Sequence, residues 1–244
     1  MQAVDFRNKL YLHRTKIILL GVFLISSAVH AQSFRWARRN NPNYDDKKLT
    51  YGFLIGLHTT AYQIEYSDKF VALGLDSVHS VIPYWRPGFS LGFIVNYRLT
   101  EFLDLRLTPE VAFYEHKLRY NYIDGTFLDQ LVETTMVEFP LLLKYKSMRR
   151  GNIRMYMIGG VKPGIEASGK KEIKNSTKSL EVKTLNLNLE AGFGFDLYFP
   201  LFKFSPEIRF SKGIVDVLDN KENAFGQPLR RVNTNTITVY LLFQ

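Results

Sequence analysis

Residues 185–199 read LNLNLEAGFGFDLYF, and every odd position is apolar: Leu185, Leu187, Leu189, Ala191, Phe193, Phe195, Leu197 and Phe199. The even positions are Asn186, Asn188, Glu190, Gly192, Gly194, Asp196 and Tyr198. Successive side chains leave a strand on opposite faces, so a period of two predicts a strand and excludes a helix. The run is also far longer than the usual strand of about 5–6 residues. One oily face and one wet face over that length suit a transmembrane β-barrel, whose strands meet lipid on one side and the lumen on the other.

The same alternation recurs along the chain. It predicts strands over about 49–65, 86–99, 102–118, 133–146, 152–166, 185–199, 202–212 and 234–243. Outward positions include Phe53, Leu57, Phe89, Leu91, Phe93, Leu105, Val111, Leu141, Met157, Phe210 and Val239. Three connections are tight: Thr100-Glu101, Ser147 to Gly151, and Pro200-Leu201. Four are long and polar: 66–85, 119–132, 167–183 and 213–233. Short periplasmic turns alternating with long external loops is the plan of an outer-membrane barrel. The expected fold is therefore all-β, an eight-stranded antiparallel transmembrane barrel over 49–244 with both termini periplasmic. A soluble sandwich would turn every 8–12 residues or so, with no fixed long–short order.

The start of the chain agrees with export. Arg7, Lys9, Arg14 and Lys16 precede the apolar run Ile17 to Val29, and Val29-His30-Ala31 offers a cleavage site between Ala31 and Gln32. The run falls short of the roughly 20 residues a spanning helix needs. Residues 1–31 are thus expected to be a cleaved signal peptide, and the 213 residues after it fit one domain. Loss of that segment lowers the formal charge from +9 to +6. The remaining basic residues are spread along the chain, so no nucleic-acid footprint is expected. The chain contains no cysteine, which excludes disulfides, cysteine metal sites and an N-terminal lipid anchor.

Charged residues of both signs fall on inward positions, among them Asp104, Arg106, Glu110, Glu138, Lys144, Arg154, Glu190, Lys203, Glu207 and Arg209. Eight strands enclose a space just wide enough for side chains. The ten are expected to pair across the lumen as structural filling, not to line a solute path. The short segment 32–48, QSFRWARRNNPNYDDKK, is expected in the periplasm. Its Phe34, Arg35, Trp36, Arg38 and Arg39 are of the types that anchor protein interfaces, and are read as a contact for a partner or as a lead-in packed at the barrel mouth. Lys170, Lys171, Lys174, Lys178 and Lys183 are expected to belong to a solvated loop, with docking to an acidic partner or to lipopolysaccharide phosphates as the sharper alternative.

Catalytic and metal signals are weak. The histidines after the signal are His58, His79 and His116, none at ligand spacing from another. Asp76, Ser77, His79 and Ser80 hold the residue types of a hydrolytic triad, but sequence neighbours seldom face one another as a triad requires. Gly159-Gly160-Val161-Lys162-Pro163-Gly164 lacks the Lys-Ser/Thr ending and helix of a phosphate loop. No enzyme activity, cofactor, metal or small-molecule substrate is expected.

Several blocks carry a family resemblance. Arg86-Pro87-Gly88-Phe89-Ser90-Leu91-Gly92-Phe93, Leu103-Asp104-Leu105-Arg106-Leu107-Thr108-Pro109, Phe113 to Tyr120, Val137 to Tyr145, and Tyr156 to Gly164 resemble the PorT family of Bacteroidetes outer-membrane proteins. The likeness runs from about Asn41 to the C-terminus. In the third block the family pattern has arginine after the glutamate, where this chain has His116. The resemblance implies a non-enzymatic part in type IX protein secretion, the export of sorting-domain cargo such as proteases, with a link to gliding. It implies other secretion components as partners, beside outer-membrane lipid and lipopolysaccharide. It carries no catalytic residues. Two other readings stand beside it: a stand-alone surface barrel that binds a ligand through its loops, and a lipid-modifying barrel enzyme.

Overall fold

A computed structural model describes residues 39–71, 78–167, 183–219 and 225–244. The chain divides into two compact units, Met1–Asn40 and Asn41–Gln244, and the second is the subject here. Its described residues form a short 3₁₀ turn (Tyr44–Asp46), a one-turn helix α1 (Asp68–Val71) and eleven strands. The strands are β1 (Leu49–Tyr66), β2 (Val78–Tyr84), β3 (Arg86–Arg98), β4 (Leu103–Leu107), β5 (Glu110–Tyr122), β6 (Phe127–Glu138), β7 (Leu141–Lys146), β8 (Ile153–Glu166), β9 (Leu185–Tyr198), β10 (Lys203–Gly213) and β11 (Leu229–Phe243).

Every pairing is antiparallel, and the ladder returns to its starting strand. β1 pairs with β3 and with β11. β3 continues to β4 and β5, which pair with β7 and β6 respectively. β6 and β7 both pair with β8. β8 pairs with β9, β9 with β10, and β10 with β11. Closure satisfies backbone groups that an open edge would leave bare.

The structure divides two expected strands at prolines. Pro109 separates β4 from β5, and Pro140 separates β6 from β7. Proline has no N–H to give the ladder. The carbonyls there still take part, since Phe93 N donates to Pro109 O (2.9 Å) and Thr108 N to Pro140 O (3.0 Å). Three expected loops are also corrected. Within 66–85 the chain forms α1 and β2, because Val78, Val81 and Ile82 supply enough apolar alternation to pair with β5. Residues 119–132 form the end of β5 and the start of β6, joined by a turn in which Gly125 has φ +82°. Of 213–233, residues from Leu229 onward already belong to β11.

Burial is inverted relative to a water-soluble β protein. Phe93 is 68% exposed and Met157 67%, whereas Arg106, Arg209 and Lys144 are 0% exposed. Water would expel the first pair and solvate the second group. A surrounding of lipid accounts for both. Small residues let large ones cross the interior: a Cβ on Gly194 would lie 2.6 Å from the Tyr156 hydroxyl, so only glycine leaves that ring room.

Candidate functional site

The interior of the strand ring is the only place among the described residues where polar chemistry concentrates below the surface. All ten charged residues expected to face inward are buried there. Alternation explains it: with the odd residues of β9 turned outward, Glu190 and Asp196 must turn in.

The charges form linked pairs across the ring. Towards the tight-turn end, Lys146 Nζ meets Asp104 Oδ1 at 2.5 Å, and Asn96 donates to Asp104 Oδ2 at 3.1 Å. Lys144 Nζ reaches both oxygens of Asp196 (2.9 and 2.7 Å), Ser205 Oγ donates to Asp196 Oδ1 at 2.6 Å, and Lys203 Nζ forms a looser ion pair with it at 3.9 Å. At mid-height Arg106 Nη1 donates to Glu207 Oε2 (2.8 Å), and the Tyr156 hydroxyl joins the same oxygen (2.5 Å). Arg209 binds Glu207 through Nε and Glu190 through Nη1 (3.4 Å). Further along, Lys162 Nζ lies 3.1 Å from Glu138 and 3.4 Å from Glu190. Glu110 accepts from the Tyr240 hydroxyl (2.8 Å) and Ser90 (3.2 Å). Buried charges persist only when paired and hydrogen-bonded in this way. The described set places paired, buried side chains across the lumen along its length.

Described residues narrow the lumen at each end. At the tight-turn end, the 3₁₀ turn crosses the opening. Asp45 Oδ1 accepts from the Tyr198 hydroxyl (2.7 Å) and Arg154 Nη1 (3.2 Å), and Oδ2 from Arg149 Nη1 (3.4 Å). Arg154 also donates to the carbonyls of Ser147 (2.7 Å) and Glu101 (2.9 Å), tying two turns together. Burial alone would raise the Asp45 carboxyl, but Tyr198, Arg154 and Arg149 hold it below the usual carboxylate range. Asn41 Nδ2 donates to Phe199 O at 2.8 Å, fixing the start of the turn. At the opposite end, Tyr62, Leu118, Tyr120, Val217, Leu218 and Phe225 belong to one apolar cluster, and the Tyr120 hydroxyl donates to Phe225 O at 2.8 Å.

Sequence reasoning passed over Asp45, Lys146, Lys162 and Asp196 as members of the network. The last three sit on inward positions of their strands, so parity alone would have found them. Asp45 lies outside any strand, and its role depends on a fold of the chain that no period reveals. Of the interface candidates, Phe34, Arg35, Trp36 and Arg38, with the cleavage pair Ala31 and Gln32, lie outside the described residues, and Arg39 is exposed. His79 is exposed on β2, and Ser80 accepts from Asn121 Nδ2 (2.9 Å). Asp76 and Ser77 lie outside the described residues. Among the described residues no His, Asp or Glu group could hold a metal ion.

Known proteins place this architecture. The family model for the outer membrane protein beta-barrel domain matches residues 30–219. The chain belongs to that outer-membrane barrel family. The matched span ends before β11, which nonetheless completes the ring between β10 and β1. No curated protein matches the chain in sequence. Among solved structures it is similar to the outer membrane protein OprG from Pseudomonas aeruginosa, at 14% identity and a TM-score of 0.39, covering 79% of this chain and 92% of that one. It is also similar to Neisserial surface protein A, at 12% identity and a TM-score of 0.38, covering 80% and 98%. The attachment invasion locus protein Ail of Yersinia pestis aligns at 11% identity with a TM-score of 0.34, covering 81% and 99%. These superpositions are loose, and the family match with the inverted burial carries the assignment to an outer-membrane barrel.

Proposed function

We propose that this protein is a PorT-like, non-enzymatic subunit of a type IX secretion system, serving in assembly or docking and not as the translocation pore. The observation that carries the reading is the filled lumen: Arg106, Lys144, Lys162, Glu207 and Arg209 are 0–1% exposed and paired across the ring. A conduit for folded cargo needs an open interior. Work done by this barrel therefore falls to its surfaces. The sequence blocks that resemble the PorT family supply the system.

In this reading the eleven strands are eight crossings. β2 with β3, β4 with β5 and β6 with β7 each serve as one interrupted strand, because both members of each pair meet the same neighbour (β5, β3 and β8 respectively). Residues 1–31 are removed as a signal. The 3₁₀ turn and tight turns face the periplasm, where residues 34–39 meet another secretion component, while the long connections face outward towards lipopolysaccharide.

The test is a clean deletion strain in which sorting-domain cargo is quantified at the surface and in the periplasm. Unprocessed periplasmic cargo, relieved by complementation, is the expected result. Normal surface cargo would refute the secretion role and shift attention to ligand binding by the loops.

A further inference from the structure

Between the charge network and the apolar cluster the ring holds a partly open cavity of about 40 Å³. By the measure in which one water needs about 10–15 Å³, that is room for roughly three water-sized groups. Its walls include Thr60, Tyr114, His116, Thr134, Glu138 and Asn186. Three polar atoms of this lining have no hydrogen-bond partner: His116 Nδ1, Glu138 Oε1 and Asn186 Oδ1. His116 is 5% exposed and Glu138 1%. Orphaned atoms so deep in a structure call for an explanation.

Glu138 Oε1 and Asn186 Oδ1 are acceptors, and His116 Nδ1 is a third when the imidazole proton sits on Nε2. Thr60 Oγ1 has three partners within reach: Asn235 O (3.2 Å), His116 Nε2 (3.2 Å) and Thr236 Oγ1 (2.9 Å). In the tautomer with the His116 proton on Nε2, that proton goes to Thr60 Oγ1 and Nδ1 is left as a bare lone pair. Asn186 spends its amide on Thr234 Oγ1 (3.4 Å), which leaves its carbonyl oxygen. Glu138 Oε2 takes the Tyr114 hydroxyl (2.9 Å) and Lys162 (3.1 Å), and Oε1 is left over. The cavity thus presents acceptors and asks for donors.

Charge narrows the choice. Glu138 is already matched by Lys162, and Lys183 adds a basic residue to the lining, so the cavity offers an entering cation no unmatched carboxylate. A neutral donor-rich group meets no such repulsion. Size narrows it further, to about three hydroxyl-bearing atoms. Lys183 and Val217 lie beyond the strand ends in the long connections and border the same cavity, which sets the direction of entry.

We propose that this cavity is a binding site for a neutral polyol edge: vicinal hydroxyls of a sugar or a small polyol entering from the long-loop end and donating to His116 Nδ1, Glu138 Oε1 and Asn186 Oδ1. Such hydroxyls come from a free small polyol or from a sugar of a surface glycan. The site stands whether or not the secretion role does.

The experiment is saturation-transfer NMR on the full chain, folded in lauryldimethylamine oxide micelles, whose headgroup carries no sugar. The probes are glycerol, mannose, galactose and lipopolysaccharide core oligosaccharide. Saturable transfer to glycerol or a monosaccharide supports the site and assigns free polyols. Transfer to the oligosaccharide alone supports it and assigns surface glycan. Thr134→Trp fills the cavity and is expected to abolish the signal. Asn186→Leu keeps the volume, removes one acceptor and is expected to weaken binding about tenfold, the scale of one hydrogen bond. Folding of each variant is checked by heat-shifted gel mobility, and Asn186→Leu carries the test if Thr134→Trp does not fold. Absence of saturable transfer from every probe, or unchanged affinity in the folded variants, overturns the proposal.

Discussion

Arg106→Met tests whether the lumen is held by ion pairs. Arg106 is 0% exposed, donates to Glu207 Oε2 at 2.8 Å and, through Nε, to Asn96 Oδ1 at 3.1 Å. Methionine keeps the stem volume and deletes the charge. Removing one member of a buried pair costs about 3–5 kcal/mol, because the other charge is left in a poor solvent for it. Here Glu207 retains Arg209 and the Tyr156 hydroxyl, which places the cost near the lower end, about 3 kcal/mol. At about 1.4 kcal/mol per decade, that is on the order of a 100-fold shift in the unfolding equilibrium. The assay is reversible urea unfolding in micelles or vesicles, followed by tryptophan fluorescence. Arg106→Met with Glu207→Gln removes both charges and is expected to cost less than the sum of the two single changes, since neither partner is stranded. Arg106→Met within about 0.5 kcal/mol of the parent, the range of a surface substitution, would refute the claim that these charges are desolvated and coupled.

Three further outcomes follow from the same geometry. Asp45→Asn removes the charge that Arg149 and Arg154 share, so the Tyr44–Asp46 turn loosens and trypsin cleaves faster at Lys47 and Lys48; an unchanged cleavage rate would deny the carboxylate its anchoring role. Because the Asp45 carboxyl is held below its unfolded value of about 4, its contribution is complete above that pH and is lost as pH falls through the folded value. The parent's cleavage at Lys47, read with an acid-tolerant protease of matched specificity, should therefore rise only in that acid window, while Asp45→Asn shows no such rise. Gly194→Val places carbon where the Tyr156 ring lies and should lower the folded yield severalfold by heat-shifted mobility, with Gly194→Val/Tyr156→Ala recovering part of it. Planar-bilayer recordings of the parent should show no steady porin-like current, and a stable open conductance would contradict the filled lumen.

Much of this architecture was legible in the chain because a strand between lipid and lumen writes its two environments into alternate residues. Parity alone put Phe193 outside and Glu190 inside, and the same rule placed all ten expected lumen charges in the interior. The breaks at Pro109 and Pro140 were less visible, since the apolar alternation runs on to either side of each proline and only the ladder shows where pairing shifts from one partner strand to another. Residues 78–84 were misjudged because a seven-residue strand beside polar Asp76, Ser77 and Ser80 looks like loop until its partner β5 is known.

The sequence by itself determined the inside and the outside of the sheet, since that depends only on a period of two and on the transfer cost of charge and hydrocarbon. Tertiary structure decided which charges meet. Arg106 and Glu207 are 101 residues apart, and Lys144 and Asp196 are 52 apart, so their pairing is set by ring closure and strand register. The same closure brings Asp45 beneath Arg149, Arg154 and Tyr198, and turns three acceptors from β5, β6 and β9 onto one cavity. Local pattern carries no information about such meetings, because they are fixed by the stagger of strands far apart in the chain.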